Sequence, residues 1–336
     1  MFKSHCYSTT VSVFAIIFIF ISCSNTADQT DEIITSDLAS VQLEHLFTIS
    51  DNPQNGLVFQ QITEVTSVSK GTIFLKDENA HQIHVVSKEG SYIESLGGEG
   101  SGPGEFKHML YLATDELNRI RVFDAIQARS TLFVKRNNDW EPEHIFMIEG
   151  ERYGIVSADG ENNVILRKSL NQIPDPGVFW YKHELTTGNL ETGLTRENVL
   201  TIKDMGSLVS DGGFMTIIPY GRTTVTAATP EGKLYMFWNE RFDLTVYKSK
   251  LEAIDSLSIP IPNQPVSDDE RDELINKLDS NFRSLARQHI PFTKPVASKM
   301  YVDEYENIWL QTFDSPEYFV LNSDGDPLGS FDLPQE

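Results

Sequence analysis

The sequence predicts an all-β propeller with one inserted surface helix, and three observations predict it. Five segments, 61–73, 108–120, 152–164, 222–234 and 296–308, align without a gap. Each reads as a run of small or β-branched residues, a turn, and then a strongly apolar strand. The apolar strands of the first three begin at Ile73, Ile120 and Val164, which are 47 and 44 residues apart, the period of a four-stranded blade. Val85, Leu132, Val246 and Val320 each fall 12 residues after their own reference position, as a third strand in every unit would. One such unit cannot bury both of its faces, so the copies must pack on one another.

The chain opens on Lys3 and an apolar run from Val11 to Ile21, too short for a comfortable membrane span and patterned as an export signal over residues 1–22. Both cysteines, Cys6 and Cys23, lie within the first 23 residues, so disulfides, thiolate-held metals and cysteine catalysis are excluded from the body. Phe20-Ile21-Ser22-Cys23 resembles the lipobox of bacterial lipoproteins, which implies lipidation at Cys23; Phe20 stands where leucine is usual. Residues 23–40 are polar and read as a disordered tether, and Asp28, Asp31 and Glu32 suggest an outer-membrane destination. The propeller then occupies 41–336.

Within it, Leu43 to Ile49 is expected to be an outer strand that closes the ring with the C-terminal blade, because unpaired edges invite aggregation. Gly71, Asn118, Gly160, Gly232 and the stretch from Asp303 to Asn307 supply the turn residues that tight hairpins need. Tyr92 to Leu96 and Leu328 to Phe331 read as fourth strands. In the third repeat, Pro174 to Gly177 lengthens the connection before Phe179. Leu200 to Pro219 has no clear repeat partner, and its glycines predict loops, with a degenerate blade as the alternative. Ser267 and Glu270 form a capping box for a helix from Asp268 to His289, and Pro291 stops it; this is the helical insertion at 267–290.

Leu96-Gly97-Gly98-Glu99-Gly100-Ser101-Gly102-Pro103-Gly104-Glu105-Phe106, followed by Asp115, Ile120, Val122, Phe123 and Asp124, resembles an NHL-type repeat. Asn307-Ile308-Trp309-Leu310 with Asp324-Gly325 extends the likeness to the terminal blade. From Leu43 to Pro334 the chain is similar to six-bladed β-propeller lipoproteins of bacteria. That resemblance implies a six-bladed β-propeller acting as a binding scaffold rather than a known reaction.

The candidate sites are few. Gly97 to Gly104 lacks the Gly-Lys-Ser/Thr ending of a phosphate loop and is flanked by Glu99 and Glu105, so it is expected to be a turn between blades with Phe106 as a packing plug. Asn322 to Asp326 and Asp159 to Asn162 are expected to be hairpin turns rather than calcium loops. His81 and His84 lack zinc-site spacing, and no metal or cofactor is expected. No nucleophile elbow occurs, and no catalytic residue is assigned. Trp180, Trp238 and Trp309 are expected in the core, and Trp140 at the surface. The first column of the repeat, at the start of each innermost strand, holds Gln61, His108, Arg152, Arg222 and Val296. Radial symmetry would bring these to one mouth of the central channel. The four polar ones could there attract a carboxylate or phosphate, although the favoured reading is that the two arginines merely pair with neighbouring carboxylates.

A formal charge of −22 excludes nucleic acid as a partner, because phosphate binding needs lysine and arginine to replace counterions. Contact with a membrane is expected through the lipid anchor alone. The sequence thus points to an exported, lipid-anchored scaffold that binds a small molecule, peptide or protein partner. The competing class is a propeller hydrolase or lyase acting through carboxylates, with or without a channel metal. A third is an interaction module docking through the helix.

Overall fold

The computed structural model describes residues 44–68, 71–148, 153–170, 174–192, 198–313 and 317–332. The expected signal segment, Cys23 and the tether lie outside them, as does Arg152. Five antiparallel sheets stand in a ring, each wound outward from its innermost strand, so the fold is an all-β propeller. The first blade comprises β1 (Ile62–Ser67), β2 (Ile73–Asp77), β3 (Gln82–Val86) and β4 (Tyr92–Gly97). The second comprises β5 (Met109–Thr114), β6 (Ile120–Asp124), β7 (Arg129–Arg136) and β8 (Asp139–Met147). The third has five strands: β9 (Tyr153–Ala158), β10 (Asn163–Ser169), β11 (Gly177–Asn189), β12 (Val199–Val209) and β13 (Met215–Ile217). The fourth holds β14 (Thr224–Ala228), β15 (Leu234–Trp238), β16 (Phe242–Tyr247) and β17 (Ala253–Ile259). The fifth holds β18 (Lys299–Val302), β19 (Ile308–Gln311), β20 (Glu317–Leu321) and β21 (Pro327–Asp332).

The gapless repeat corresponds to a conformational one. The eleventh residue of every aligned segment is left-handed: Gly71 at φ 81°, Asn118 at 59°, Asn162 at 65°, Gly232 at 76° and Glu306 at 63°. Glycine and asparagine tolerate this region, and Glu306 accepts it at a cost. In three repeats an aspartate begins the turn and holds it. Oδ1 of Asp115 accepts from the amides of Leu117 and Arg119, that of Asp159 from Glu161 and Asn163, and that of Asp303 from Tyr305 and Asn307. The turn pivot of the third repeat is therefore Asn162, not Gly160, and it stands three residues after Asp159, as Asn118 stands after Asp115.

These turns touch from blade to blade and so define the order around the ring. The Thr114 hydroxyl donates to Ser67 O, Arg119 Nη2 to Gly160 O, and the Ser157 hydroxyl to Gly232 O, while Lys233 pairs with Glu306. Between the same neighbours lie apolar interfaces. Phe74, Ile83 and Val85 pack on Phe106, Met109 and Leu112; Phe123 meets Ile155, Val164 and Leu166; Ile165 and Leu185 meet Leu234 and Met236; Val225, Phe237 and Phe242 meet Met300, Ile308 and Phe319. Apolar area removed from water at these faces, at roughly 25 cal/mol per Å², is the main stabilising force of the ring.

Phe106 is fully buried, as its role of plug predicts. The loop before it is held by the Arg129 guanidinium, which donates to the carbonyls of Ser101, Gly102 and Glu105. Hairpin turns stand where expected at 159–163 and 322–326, with Asn322 Oδ1 accepting from the amides of Asp324 and Asp326.

Several expectations are corrected. Leu200 to Pro219 is not a loop region: it forms most of β12 and all of β13, because β11 and β12 run far beyond the blade as a ribbon. On that ribbon sits the insertion, which is two helices rather than one, α1 (Asp268–Lys277) and α2 (Arg283–His289). Asp279, Ser280 and Asn281, poor helix formers, separate them. The capping box is present, Ser267 Oγ accepting from the Glu270 amide at 3.2 Å. Ile275, Phe282, Ala286 and Ile290 cover Leu208 and Ile218 of the ribbon, so the helices cap apolar surface. Trp140 is buried rather than exposed, because its pairing opposite Lys135 turns the indole inward, edge-on to Phe74 at 5.1 Å. Residues 44–49 form no strand, and the fifth sheet is complete with its own four; the Phe47 ring lies instead beside Gly90 of the first blade.

Candidate functional site

In the first, second and fourth blades the innermost strand starts from a backbone held by a side chain at the end of the strand beside it. Asp77 accepts from the amides of Gln60 and Gln61 at 2.7 and 2.9 Å, and Asp124 from that of Lys107 at 2.6 Å and of His108 at 3.4 Å. Asn239 accepts from the Thr223 amide at 2.8 Å and donates to Ala297 O of the next blade. All three are wholly buried. Burial alone would raise the carboxyls of Asp77 and Asp124; the amides outweigh it and hold both below the ordinary aspartate range. A polar residue closing an apolar strand in three repeats was the available sequence signal.

This capping sets the start of the innermost strand at Gln61 in the first blade and at His108 in the second. Glu78 joins them: its amide donates to Gln61 O at 2.9 Å, and its Oε1 lies 2.8 Å from His108 Nδ1. Lys76, nearly buried, sits behind. Its Nζ is 3.0 Å from Glu64 Oε2, 3.7 Å from Glu78 Oε2 and 3.0 Å from Met109 O. Burial raises the Glu64 carboxyl, although Lys76 opposes this. The cluster thus combines a half-exposed imidazole, a carboxylate paired with it, an ammonium and a carboxyl that accepts a proton more readily than usual. Such a set can hydrogen-bond a polar ligand and can move a proton. Glu64, Lys76 and Glu78 were missed in the sequence, where they read as ordinary strand and turn polarity.

Arg222 behaves differently. Its side chain is buried, Nη1 donating to Tyr220 O and Thr293 O and Nη2 to Thr293 Oγ1, while Nε lies 3.9 Å from Glu240. These bonds tie the fourth blade to the strap after α2. Val296, in the same column, is buried and its amide donates to Asn239 O.

Behind the fourth blade's inner strand lies a further polar group. His183 Nε2 is 2.9 Å from Asp204 Oδ2, the Thr223 hydroxyl donates to the other oxygen, and Lys203 Nζ stands 3.8 Å and 4.9 Å from the Trp180 and Trp238 ring centroids. Burial pushes the Asp204 carboxyl up, but the bonds from His183 and Thr223 prevail and lower it to about 2. Trp180 and Trp238 pack together between blades, and Trp309 donates to Asp303 and packs against Phe331. Among the described residues no group of three or more histidines, cysteines and acids is placed to hold a metal ion.

Ring, winding and inner-strand mouth define a β-propeller. A family model described as a 6-bladed beta-propeller matches residues 25–133. The described residues form five sheets, against the six in that description. Among solved structures the chain is similar to a protein of Bacteroides fragilis NCTC 9343 described as exported, at 13% identity over 91% of this chain and 78% of that chain, with a TM-score of 0.44. It is also similar to a streptogramin B lyase, at 11% identity over 81% and 83% with a TM-score of 0.39, and to a gluconolactonase from Xanthomonas campestris, at 12% over 79% and 73% with a TM-score of 0.37. No curated protein matches.

Proposed function

We propose that this chain is an exported, lipid-anchored propeller of the cell envelope that binds a small molecule or peptide at the inner-strand mouth. The observation that supports it is the junction at which Glu78 donates from its amide to the Gln61 carbonyl of the first blade and pairs through its carboxylate with His108 of the second. A polar ligand would bind to the half-exposed His108 and to Glu78. Arg222 serves the architecture instead. Ligand-screening by thermal shift should find compounds that raise the Tm of the wild type and not of a His108→Ala, Glu78→Gln double variant. Equal shifts in both proteins would refute the site.

Anchoring rests on the Ser22-Cys23 pair and the preceding apolar run. Cys23→Ser should move the protein from the membrane fraction to the soluble one, and unchanged fractionation would reject lipidation there. An enzymatic reading has one observation in its favour, the raised carboxyl of Glu64 beside Lys76, which suits a general acid.

A further inference from the structure

We propose that the indoles of Trp180 and Trp238 form a seat for the quaternary ammonium group of a small soluble cation, with Lys203 as its internal occupant. This second site stands apart from the inner-strand mouth and does not rest on it. Trp180 lies on β11 of the third blade and Trp238 on β15 of the fourth, with ring centroids 5.9 Å apart and planes inclined at 60°. Lys203 of β12 stands over both rings, its Nζ 3.8 Å from the Trp180 centroid and 4.9 Å from that of Trp238. The electron-rich face of an indole attracts a cation, and converging aromatic faces recognise methylated ammonium groups in particular.

The present occupant shows which chemistry the seat accepts. In a chain with 49 acidic residues, the exposed Lys203 makes no ion pair among the described residues and rests on the indoles instead. Its primary ammonium is strongly hydrated and gives up water to lie there, on a flexible stem that can swing back into solvent. A quaternary ammonium holds its water weakly and presents methyl groups to the rings, so it can compete with the tethered lysine. The net charge of −22 concentrates cations around the molecule.

The walls of the seat do not depend on the lysine side chain. Trp180 pairs across the sheet with Gly206, where a Cβ would stand 2.9 Å from Cζ3 of the indole, so a side chain there would push the ring away. Trp238 pairs with Thr224, whose hydroxyl donates to the backbone carbonyl of Lys203. The Thr223 hydroxyl donates to Asp204, which His183 also holds. These bonds fix β12 to the start of β14 before any ligand arrives, so ordering the seat costs little on binding. Both indoles remain partly exposed, which leaves a ligand its way in.

The chain has four tryptophans, so the full-length protein made with fluorotryptophan gives four fluorine NMR signals, assigned by Trp140→Phe, Trp180→Phe, Trp238→Phe and Trp309→Phe. Choline should move the Trp180 and Trp238 signals and leave those of Trp140 and Trp309 in place. Its uncharged carbon isostere, dimethylbutanol, should bind at least about tenfold more weakly, because the rings attract the charge. Lys203→Ala should tighten choline binding about fivefold by emptying the seat, with cooperative unfolding retained because the bonds to β14 use its backbone. A choline titration that moves neither Trp180 nor Trp238, equal affinity for the isostere, or unchanged or weaker binding to Lys203→Ala would overturn the proposal. The same head group on phosphatidylcholine vesicles should leave the Cys23→Ser protein in solution, because the indoles are partly covered by the two blades. Sedimentation with the vesicles would overturn the assignment to a soluble ligand.

Discussion

Asp124→Ala should destabilise the domain by about 3 kcal/mol in urea denaturation, the largest loss expected from one polar side chain here. The carboxylate accepts from the amides of Lys107 at 2.6 Å, Ile126 at 3.0 Å and Gln127 at 2.9 Å, and from Gln127 Nε2 at 2.8 Å, and it is wholly buried. Removing it leaves several donors without water or partner. Asp124→Asn keeps one acceptor, as Asn239 supplies at the equivalent place in the fourth blade, so it should cost less than half as much. The carboxyl is held below its unfolded value of about 3.9. Its stabilisation is therefore complete above that pH and is lost as the pH falls through the folded value. Wild-type stability should decline in that acid window, and Asp124→Asn should decline less steeply. Asp77 and Asp204 titrate in the same sense and will leave a residual slope. A variant as stable as the wild type would show that the capping side chains are dispensable.

The repeat was legible because it is written in the residues that the backbone constrains most. Gly71, Asn118, Asn162 and Gly232 stand in one column since the same left-handed turn recurs, and the apolar strand after each follows from blade-on-blade packing. The β11–β12 ribbon was not legible. Its polar alternation, as in Thr201, Lys203 and Ser207, belongs to strands that leave the ring and are covered on one face by helices from far along the chain. Trp140 failed for a related reason: Asn137, Asn138 and Asp139 mark a turn, but only the register of β8 decides which way the indole points. At the site, the sequence identified the column containing His108 and Gln61. It could not distinguish a half-exposed His108 from an Arg222 consumed by Thr293, because that partner lies 71 residues away.

A ring requires residues far apart in the chain to share one of its ends. Residues 117 and 305 occupy the same place in the turns of the second and fifth blades, and both Leu117 and Tyr305 are exposed. The body contains no cysteine, so a chain with Cys6 and Cys23 removed can carry nitroxide labels at introduced Leu117→Cys and Tyr305→Cys alone. Pulsed electron–electron distance measurement should then give a single narrow distribution on the order of 30 Å, within the span of one compact domain. A broad distribution, or one centred well beyond that span, would contradict the ring.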